Sequence, residues 1–335
     1  AAEQVDDTVR LNANEAPYPL AAGHFRRPLN RYPEVRPQKL RAALADRFGC
    51  APHELLVTRG SSEAIDLLIR TFCRAGRDSI VTASPAFTMY SHYAAVQGAE
   101  FIEVPTHAGE DFAIDVHALL AACTPRTRIV VVCSPNNPTG TILPREQLET
   151  LLQEREASSA IVVDEAYVEF GNTPSVVDML QRYPNLILLR TLSKALAFAG
   201  ARCGAVIGSP DIVRMLGAVQ APYAVPTPVV ECVEDALTAD QLQQAEDAVA
   251  TIIDERERLT QRLADYPFVL KVWPSSANFL LVRVADAARV MTHCRANRIL
   301  LRHFGGDLAD CVRITVGSRK ENDCLLRALD ALGGT

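Results

Sequence analysis

The chain has 335 residues and a formal net charge of −6 at pH 7; 48% of its residues are hydrophobic and 22% are charged. This length favours about two domains, and the composition is that of a globular protein with a large core. The acidic balance argues against a nucleic-acid partner or a membrane surface, which favour a basic stripe, and no apolar run approaches the ~18 residues that cross a bilayer.

The first segment of the chain is predicted to form an arm. Residues 1–7 are acidic and have no apolar core, so no signal peptide is predicted. Leu11–Asn30 is rich in Pro and Asn and lacks a core of its own. We therefore expect residues 1–30 to form an N-terminal arm that packs with the smaller domain.

Short apolar runs then alternate with helical patterns. The runs are rich in Val, Ile and Leu with little polar alternation, which is typical of strands buried on both faces. They are Leu55–Thr58, Ser79–Ala83, Phe101–Val104, Ile129–Cys133, Ile161–Val163, Leu186–Leu189 and Ala205–Ile207. Amphipathic stretches predict helices at Ser61–Arg74, Asp115–Ala122 and Pro144–Glu156. This alternation predicts an α/β large domain over residues 31–225, with a mostly parallel seven-stranded sheet and a site at the carboxyl ends of its strands.

The pattern changes after Pro222–Pro228. A long helical pattern covers Thr238–Ala264, and two further helices are predicted at Asp286–Ala296 and Arg319–Leu332. Strand-like runs lie at Val269–Trp273, Phe279–Val284 and Val312–Val316. We therefore predict a small α+β domain over residues 226–335.

Cysteine and lysine usage narrow the chemistry. The nine cysteines form no C-x-x-C pair, their number is odd, and most lie in apolar stretches. Free thiols in a reducing cytoplasm explain this pattern better than disulfides or a zinc site, so we predict a cytoplasmic protein with no metal. A mechanism that needs lysine has few candidates, because the chain contains only Lys39, Lys194, Lys271 and Lys320.

Lys194 is the strongest of these candidates because it directly follows a predicted strand. The hydroxyls of Thr191 and Ser193 precede it, and Arg202 follows eight residues later. Hydroxyls and a guanidinium suit a phosphate dianion, which forms strong charge-assisted hydrogen bonds. Neighbouring positive charge also lowers the pKa of a lysine and favours nucleophilic or base chemistry.

Two further strand ends carry polar side chains. Asp164 and Tyr167 follow the strand Ile161–Val163, where an acid serves equally as a helix cap, a metal ligand or a partner for a buried cation. Asn137 lies in the turn Ser134–Gly140, whose prolines and glycine a tight connection explains but whose amide it does not require.

Two more turns complete the set. Ser61 and Ser62 follow Gly60 and open a helix, an arrangement that suits either helix capping or a phosphate cradle. Phe87 follows another strand and suits either the core or stacking on a flat ring. Together the motifs supply what pyridoxal phosphate needs: a Schiff-base lysine, a carboxylate for the ring nitrogen, phenolate donors and a phosphate cup. The G-x-G-x-x-G order of a dinucleotide site and the G-x-S-x-G elbow of a serine hydrolase are absent from the sequence.

These motifs resemble those of the fold-type I aminotransferases, and in particular the histidinol-phosphate aminotransferase branch of the class II subgroup. The matching segments span almost the whole chain. They are Leu11–Glu15, Asn30–Glu34, Arg59–Glu63, Cys133–Gly140, Asp164–Tyr167, Arg190–Lys194, Ala199–Gly204 and Val312–Gly317.

The resemblance implies a role for each site residue. Lys194 would hold pyridoxal 5′-phosphate as a Schiff base and shuttle the proton, while Asp164 would pair with the pyridine nitrogen. Asn137 and Tyr167 would bind the phenolic oxygen, and Phe87 would stack on the ring. The cofactor phosphate would be held by Ser61, Ser62, Ser193 and Arg202.

The resemblance also implies substrate residues and a partner. Arg313 would grip the acidic group of the substrate, with Arg302 and Asn14 as further substrate-binding residues. Tyr32 would reach the cofactor phosphate of a neighbouring subunit, which implies a homodimer.

The implied reaction is transfer of the amino group of L-histidinol phosphate to 2-oxoglutarate, which gives imidazole-acetol phosphate and glutamate. Three alternatives stay open: an aromatic-amino-acid aminotransferase, an enzyme like threonine-phosphate decarboxylase, and a non-catalytic protein on the same scaffold. Joint retention of Lys194, Asp164 and Asn137 argues against the last of these.

Overall fold

A computed structural model of the chain describes residues 25–333. Its largest unit is a seven-stranded sheet whose strand order is β1-β7-β6-β5-β4-β2-β3. Strands β2 to β6 run parallel to one another, whereas β7 is antiparallel to both of its neighbours, β1 and β6. The strands are β1 (Leu55–Thr58), β2 (Ser79–Ser84), β3 (Glu100–Pro105), β4 (Thr127–Cys133), β5 (Ala160–Asp164), β6 (Leu186–Thr191) and β7 (Gly204–Gly208). The mostly parallel α/β sheet that the sequence predicts is therefore confirmed.

Helices cover both faces of this sheet, as its apolar strands require, since both faces must be buried. Leu40, Leu44 and Leu151 belong to the apolar cluster of one face, and Leu68 and Leu216 to that of the other. The helices of this part are α1 (Gln38–Phe48), α2 (Gly60–Phe72), α3 (Met89–Gln97), α4 (Val116–Ala122), α5 (Arg145–Glu154), α6 (Pro210–Val219) and α7 (Thr227–Ala236).

A second, four-stranded sheet lies in the C-terminal part, in the order β10-β11-β9-β8 with antiparallel pairing throughout. Its own apolar cluster includes Leu259, Leu280 and Leu329. The elements are α8 (Ala239–Ala264), β8 (Val269–Val272), β9 (Phe279–Val284), α9 (Ala287–Ala296), β10 (Arg302–His303), β11 (Cys311–Thr315) and α10 (Arg319–Gly333).

The boundary between the predicted domains remains a prediction. Val230 and Val233 of α7 pack in the core of the seven-stranded sheet, although the predicted boundary falls before them. Helix α8 is shared, since Val249 packs against the large-sheet cluster and Leu263 belongs to the small-sheet cluster. Most of the predicted arm, residues 1–24, lies outside the described residues. Within residues 25–333, no helix is long and apolar enough to cross a membrane.

Candidate active site

The carboxyl ends of four strands of the large sheet open into one cavity. The last residues of β2, β4, β5 and β6 all line it, together with residues 302–308 and Arg313 from the small sheet and its loops. Its volume is about 810 Å³. This is the edge where ligands bind in open parallel sheets. The predicted site residues that line it are Ser61, Ser62, Phe87, Asn137, Asp164, Tyr167, Thr191, Ser193, Lys194, Arg202, Arg302 and Arg313.

Lys194 lies three residues beyond the end of β6, with its side chain exposed to the open cavity. Its Nζ atom is 5.5 Å from the centre of the Tyr167 ring. The cavity walls reduce its solvation, and this burial lowers the pKa of Lys194, with further lowering by the nearby cations Arg313 and Arg202. A lowered pKa makes the neutral amine, which is the nucleophilic and basic form, easier to reach near neutral pH.

Asp164 is the last residue of β5 and is only 2% exposed. One carboxylate oxygen accepts a hydrogen bond of 2.8 Å from the Tyr90 hydroxyl, and the other accepts one of 3.1 Å from the backbone N–H of Ala166. Burial raises the pKa of Asp164 to about 6, against the stabilising effect of these two donors. Among the described residues no cation is in hydrogen-bond contact with this buried carboxylate, which suits it to receive a protonated ring nitrogen.

Asn137 and Tyr167 bring their polar groups together at the same edge. The Asn137 amide donates a long hydrogen bond of 3.5 Å to the Tyr167 hydroxyl, and its carbonyl oxygen accepts one from Arg313. Burial raises the pKa of Tyr167, so its phenol stays protonated and can donate a hydrogen bond. The pair therefore offers donors suited to a phenolate oxygen.

An anion cup forms where α2 begins. Arg202 donates to the Ser193 hydroxyl at 3.3 Å, and the Ser193 and Thr191 hydroxyls are 3.0 Å apart. Gly60 opens α2 with a φ of +76°, and a Cβ atom there would lie 2.9 Å from the Arg202 guanidinium. The positive φ favours glycine at this position, whereas the close contact falls on the flexible end of the Arg202 side chain. A helix start, hydroxyls and a guanidinium are groups that suit a phosphate.

Arg313 of β11 and Arg302 of β10 are paired across their two strands. The Arg313 guanidinium lies 5.1 Å from the centre of the Phe279 ring and 5.9 Å from that of Phe304, and Arg302 lies 5.7 Å from Phe304. Within residues 25–333, no carboxylate forms an ion pair with Arg313. Two adjacent cations facing a cavity suit an acidic ligand.

One predicted site residue does not line the cavity, and another lies outside the described residues. Tyr32 is 50% exposed and stacks on Tyr223, with ring centres 4.6 Å apart. Asn14 lies outside the described residues.

Sequence reasoning missed three residues that support the site. Tyr90 donates to Asp164, Phe279 contacts both Tyr167 and Arg313, and Phe304 lies between the two arginines. Tyr90 follows Phe87 by three residues, which is the spacing of one helical turn, so its proximity to a stacking residue was a usable signal. The contact of Phe279 with Tyr167 joins segments more than a hundred residues apart, and no local pattern indicates it.

The residues present fit the cofactor that the sequence predicts. The chemistry of the donors matches the parts of pyridoxal phosphate: a buried carboxylate for the ring nitrogen, an amide and a phenol for the phenolic oxygen, and a guanidinium with hydroxyls for the phosphate.

Comparisons with known proteins bear on the family and the fold. A histidinol-phosphate aminotransferase from Xylella fastidiosa (strain 9a5c) is 45% identical over 323 residues, covering 95% of this chain and 88% of the relative. The structure of histidinol-phosphate aminotransferase from Sinorhizobium meliloti in complex with pyridoxal-5′-phosphate is 24% identical, with a TM-score of 0.82 over 91% of this chain and 84% of that one. The structure of L-threonine-O-3-phosphate decarboxylase from Porphyromonas gingivalis is 23% identical, with a TM-score of 0.78 over 92% of each chain.

The two solved structures show the fold alone at these identities, and they include both a transaminase and a decarboxylase. The family assignment comes from the sequence. The profile of the family described as aminotransferase class I and II matches residues 6–329, almost the whole chain. The chain therefore belongs to the class I and II aminotransferases.

Proposed function

We propose that this chain is a pyridoxal-phosphate-dependent aminotransferase that moves the amino group of L-histidinol phosphate to 2-oxoglutarate. The products are imidazole-acetol phosphate and glutamate, and the reaction belongs to histidine biosynthesis. The observation that carries this proposal is the pair Arg313 and Arg302, which line the same cavity as Lys194. The 45% identical relative from Xylella fastidiosa, a histidinol-phosphate aminotransferase, supports the choice of amine.

Asp164, Asn137 and Tyr167 are proposed to hold the cofactor ring, and Phe87 to stack on it. Ser61, Ser62, Thr191, Ser193 and Arg202 are proposed to hold its phosphate. When bound, pyridoxal phosphate supplies an electron sink that makes the Cα–H bond of an attached amine acidic. The ionised Asp164 carboxylate keeps the ring nitrogen protonated and so sustains that property.

Lys194 is proposed to carry the proton. With the cofactor bound, the neutral Nζ of Lys194 would accept the Cα proton of the substrate and would then return a proton to complete the transfer. The lowered pKa of Lys194 favours this cycle, because a lysine at its ordinary pKa would remain protonated at neutral pH.

Arg313, assisted by Arg302, is proposed to hold the acidic group of each substrate. Histidinol phosphate has no α-carboxylate and presents a phosphate, whereas 2-oxoglutarate presents carboxylates. A planar guanidinium fork forms paired hydrogen bonds with both kinds of anion, so one pair of arginines can serve both half-reactions.

We further propose that the enzyme is a cytoplasmic homodimer in which Tyr32 serves the site of the neighbouring subunit. Tyr32 is half-exposed and does not line the cavity of its own chain. A second copy gives its hydroxyl a phosphate to bind.

The amine substrate can be identified by a product assay. The holoenzyme is incubated separately with histidinol phosphate, phenylalanine and threonine phosphate, with 2-oxoglutarate present, while cofactor absorbance, glutamate and carbon dioxide are followed. We expect histidinol phosphate to give the highest kcat/KM, one glutamate per amine consumed and no carbon dioxide. A higher kcat/KM for phenylalanine, or carbon dioxide from threonine phosphate, would overturn the proposal.

Lys194→Ala tests the mechanism in the same assay. Loss of the group that moves the proton should lower kcat by at least about a thousandfold, in the range typical of removing a general base together with a covalent role. Full turnover in this variant would contradict the role of Lys194. Lys271→Ala is the matched control, because Lys271 forms an ion pair with Asp111 outside the cavity lining and should leave kcat unchanged.

A further inference from the structure

The buried ring of Phe279 contacts two residues that line the cavity, Tyr167 and Arg313. Phe279 begins β9, is 3% exposed and does not line the cavity. Its ring meets the Tyr167 ring edge-on, with centres 5.2 Å apart and an interplanar angle of 88°. The Arg313 guanidinium lies 5.1 Å from its centre. Phe279 therefore touches both the proposed cofactor side and the proposed substrate side without touching either ligand.

Arg313 has few other groups to fix its direction. One terminal nitrogen donates to the Asn137 carbonyl oxygen, while its buried Nε has no hydrogen-bond partner in the described part of the chain. No carboxylate among residues 25–333 pairs with it. An arginine with four rotatable side-chain bonds and one hydrogen bond would otherwise sample several directions, and fixing it on binding would cost conformational entropy.

The four side chains close a ring of contacts. Asn137 contacts Tyr167, Tyr167 contacts Phe279, Phe279 contacts Arg313, and Arg313 contacts Asn137. A guanidinium that lies over an aromatic face is attracted to the ring quadrupole and is held at that face. The ring of contacts therefore defines where the guanidinium points.

The backbone around Phe279 is itself anchored. Arg256, which is 8% exposed, donates hydrogen bonds of 2.9 Å to the carbonyl oxygens of both Phe170 and Ala277. Phe170 follows Tyr167 by three residues, and Ala277 precedes Phe279 by two. The same side chain thus fixes the segments that carry both aromatic rings.

We propose that Phe279 is a positioning residue that holds the Arg313 guanidinium in the direction in which it receives the acidic group of the substrate. This rests on the proposed role of Arg313 in binding that group. Phe304 lies on the cavity wall, where it can touch the substrate itself, whereas Phe279 acts only through Arg313 and Tyr167.

The test compares Phe279→Leu, Phe279→Tyr and Phe268→Leu as holoenzymes. Phe268 is a half-buried ring of the small-sheet core that stacks on Tyr266, so its replacement removes a ring without touching Arg313. The probe is succinate, a dicarboxylate with no amino or keto group, and its dissociation constant is measured by calorimetry. KM and kcat are then measured for histidinol phosphate and 2-oxoglutarate.

We expect Phe279→Leu to weaken succinate binding roughly tenfold, in line with loss of a desolvated cation–π contact, and to raise both KM values more than it changes kcat. Phe279→Tyr keeps the aromatic face and should restore most of the affinity. Phe268→Leu should match the parent enzyme. If Phe279→Leu melts below the assay temperature, Phe279→Met, which keeps more of the side-chain volume, takes its place.

Three results would overturn the inference, and each identifies a different failure. If Arg313→Gln weakens succinate binding but Phe279→Leu and Phe279→Met do not, Phe279 does not position the arginine and the role of Arg313 stands. If Arg313→Gln also leaves succinate binding unchanged, the proposed anion site fails, and the positioning role fails with it. A fall in kcat with unchanged KM would indicate a merely structural role for Phe279.

Discussion

At the scale of single residues, the protonation state of Asp164 depends on two opposing effects, burial and hydrogen bonding. Burial favours the neutral acid, whereas the Tyr90 hydroxyl and the Ala166 N–H favour the carboxylate. The resulting pKa of about 6 leaves the carboxylate ionised at neutral pH with little margin. The donors around Asp164 therefore matter for whether it can pair with a protonated ring.

Tyr90→Phe should shift the pH range over which the apoenzyme binds a pyridine-type cofactor. Tyr90 is fully buried and donates to Asp164 at 2.8 Å, so removing only its hydroxyl takes away a donor that lowers the pKa of Asp164. The pKa rises, and a higher pH is then needed to ionise the carboxylate. Pyridoxamine phosphate is the ligand, because it forms no bond to Lys194. As the pH is lowered, both proteins should lose affinity for it, and we expect the pH midpoint of this loss to be higher in the variant than in the parent.

The measurement is a fluorescence titration of apoenzyme between pH 5 and 8, in which the difference between variant and parent removes the titration of the ligand itself. Tyr183→Phe is the matched control, because Tyr183 is also buried but bonds to Gln153, belongs to the apolar cluster of the opposite sheet face and does not line the cavity. Coincident pH midpoints for Tyr90→Phe and the parent would refute the argument.

Single site residues could be predicted from the sequence where a polar residue directly follows a buried strand. Lys194, Asp164 and Asn137 each follow a buried strand, and parallel strands bring their carboxyl ends to one edge, so their shared location in one cavity was predictable from sequence. The contact of Phe279 with Tyr167 was not, because it depends on how the small sheet docks on the large one. Such docking is determined by packing between distant segments and leaves no local pattern.

At the scale of elements, the turn that carries Asn137 is shaped by contact with the small domain. Gly140 ends this turn with a φ of +78°, and a Cβ atom there would lie 2.8 Å from the Cα of Ser275. Its carbonyl oxygen also accepts a hydrogen bond of 2.9 Å from the Ser276 N–H. The glycine allows the two backbones to approach closely enough to hold Asn137 beside Arg313.

Gly140→Ala should destabilise the protein more than the same change at a glycine in open space. Gly76 has a similar φ of +66°, and a Cβ atom there would meet nothing within 4 Å, so Gly76→Ala incurs only the conformational cost of about 1–2 kcal/mol. At Gly140 the steric clash adds to that cost, and we expect roughly 3 kcal/mol or more in total. Urea unfolding of both variants measures the difference.

The displaced turn should also raise the KM for 2-oxoglutarate in Gly140→Ala but not in Gly76→Ala. Equal losses of stability in the two variants, with an unchanged KM, would show that the contact with Ser275 relaxes without cost.

Helices and strands could be predicted from the sequence where their apolar pattern is strong. The long helix was predicted at Thr238–Ala264 and found at Ala239–Ala264, because its amphipathic repeat extends over many turns. Helix α3 was missed, since only Tyr90 and Ala94 of its nine residues are buried and the stripe is weak. Strand β10 was missed because it has two residues, both exposed, and its pairing depends on β11 rather than on its own sequence.

At the scale of the whole molecule, the cavity needs both sheets. The large sheet supplies Lys194 and Asp164, the small sheet supplies Arg313 and Arg302, and helix α8 runs continuously from one core to the other. Tyr32 stands apart from this arrangement, because it stacks on Tyr223 and stays half-exposed outside the cavity. An exposed tyrosine of this kind can serve the reaction only if another chain brings its cavity close to it.

Mixed dimers show whether Tyr32 acts in the active site of its own chain or in that of the partner chain. A hybrid combines one subunit carrying Lys194→Ala with one carrying Tyr32→Ala, isolated by two different affinity tags. If Tyr32 acts across the interface, the subunit with intact Lys194 receives an intact Tyr32 from its partner, and one complete site forms. We therefore expect about half of the parent activity per dimer, since sites in separate subunits contribute additively when they do not interact.

If Tyr32 instead acts within its own chain, the same hybrid is expected to have a different activity. In that case each site of the hybrid lacks one essential group, and activity cannot exceed half that of the Tyr32→Ala homodimer. Sedimentation of the parent enzyme as a monomer would contradict the homodimer itself. Because both variants are present in every case, neither loss of folding in one subunit nor a general drop in cofactor affinity can raise the hybrid above its two parent homodimers. Only a complete site built from two chains can do so.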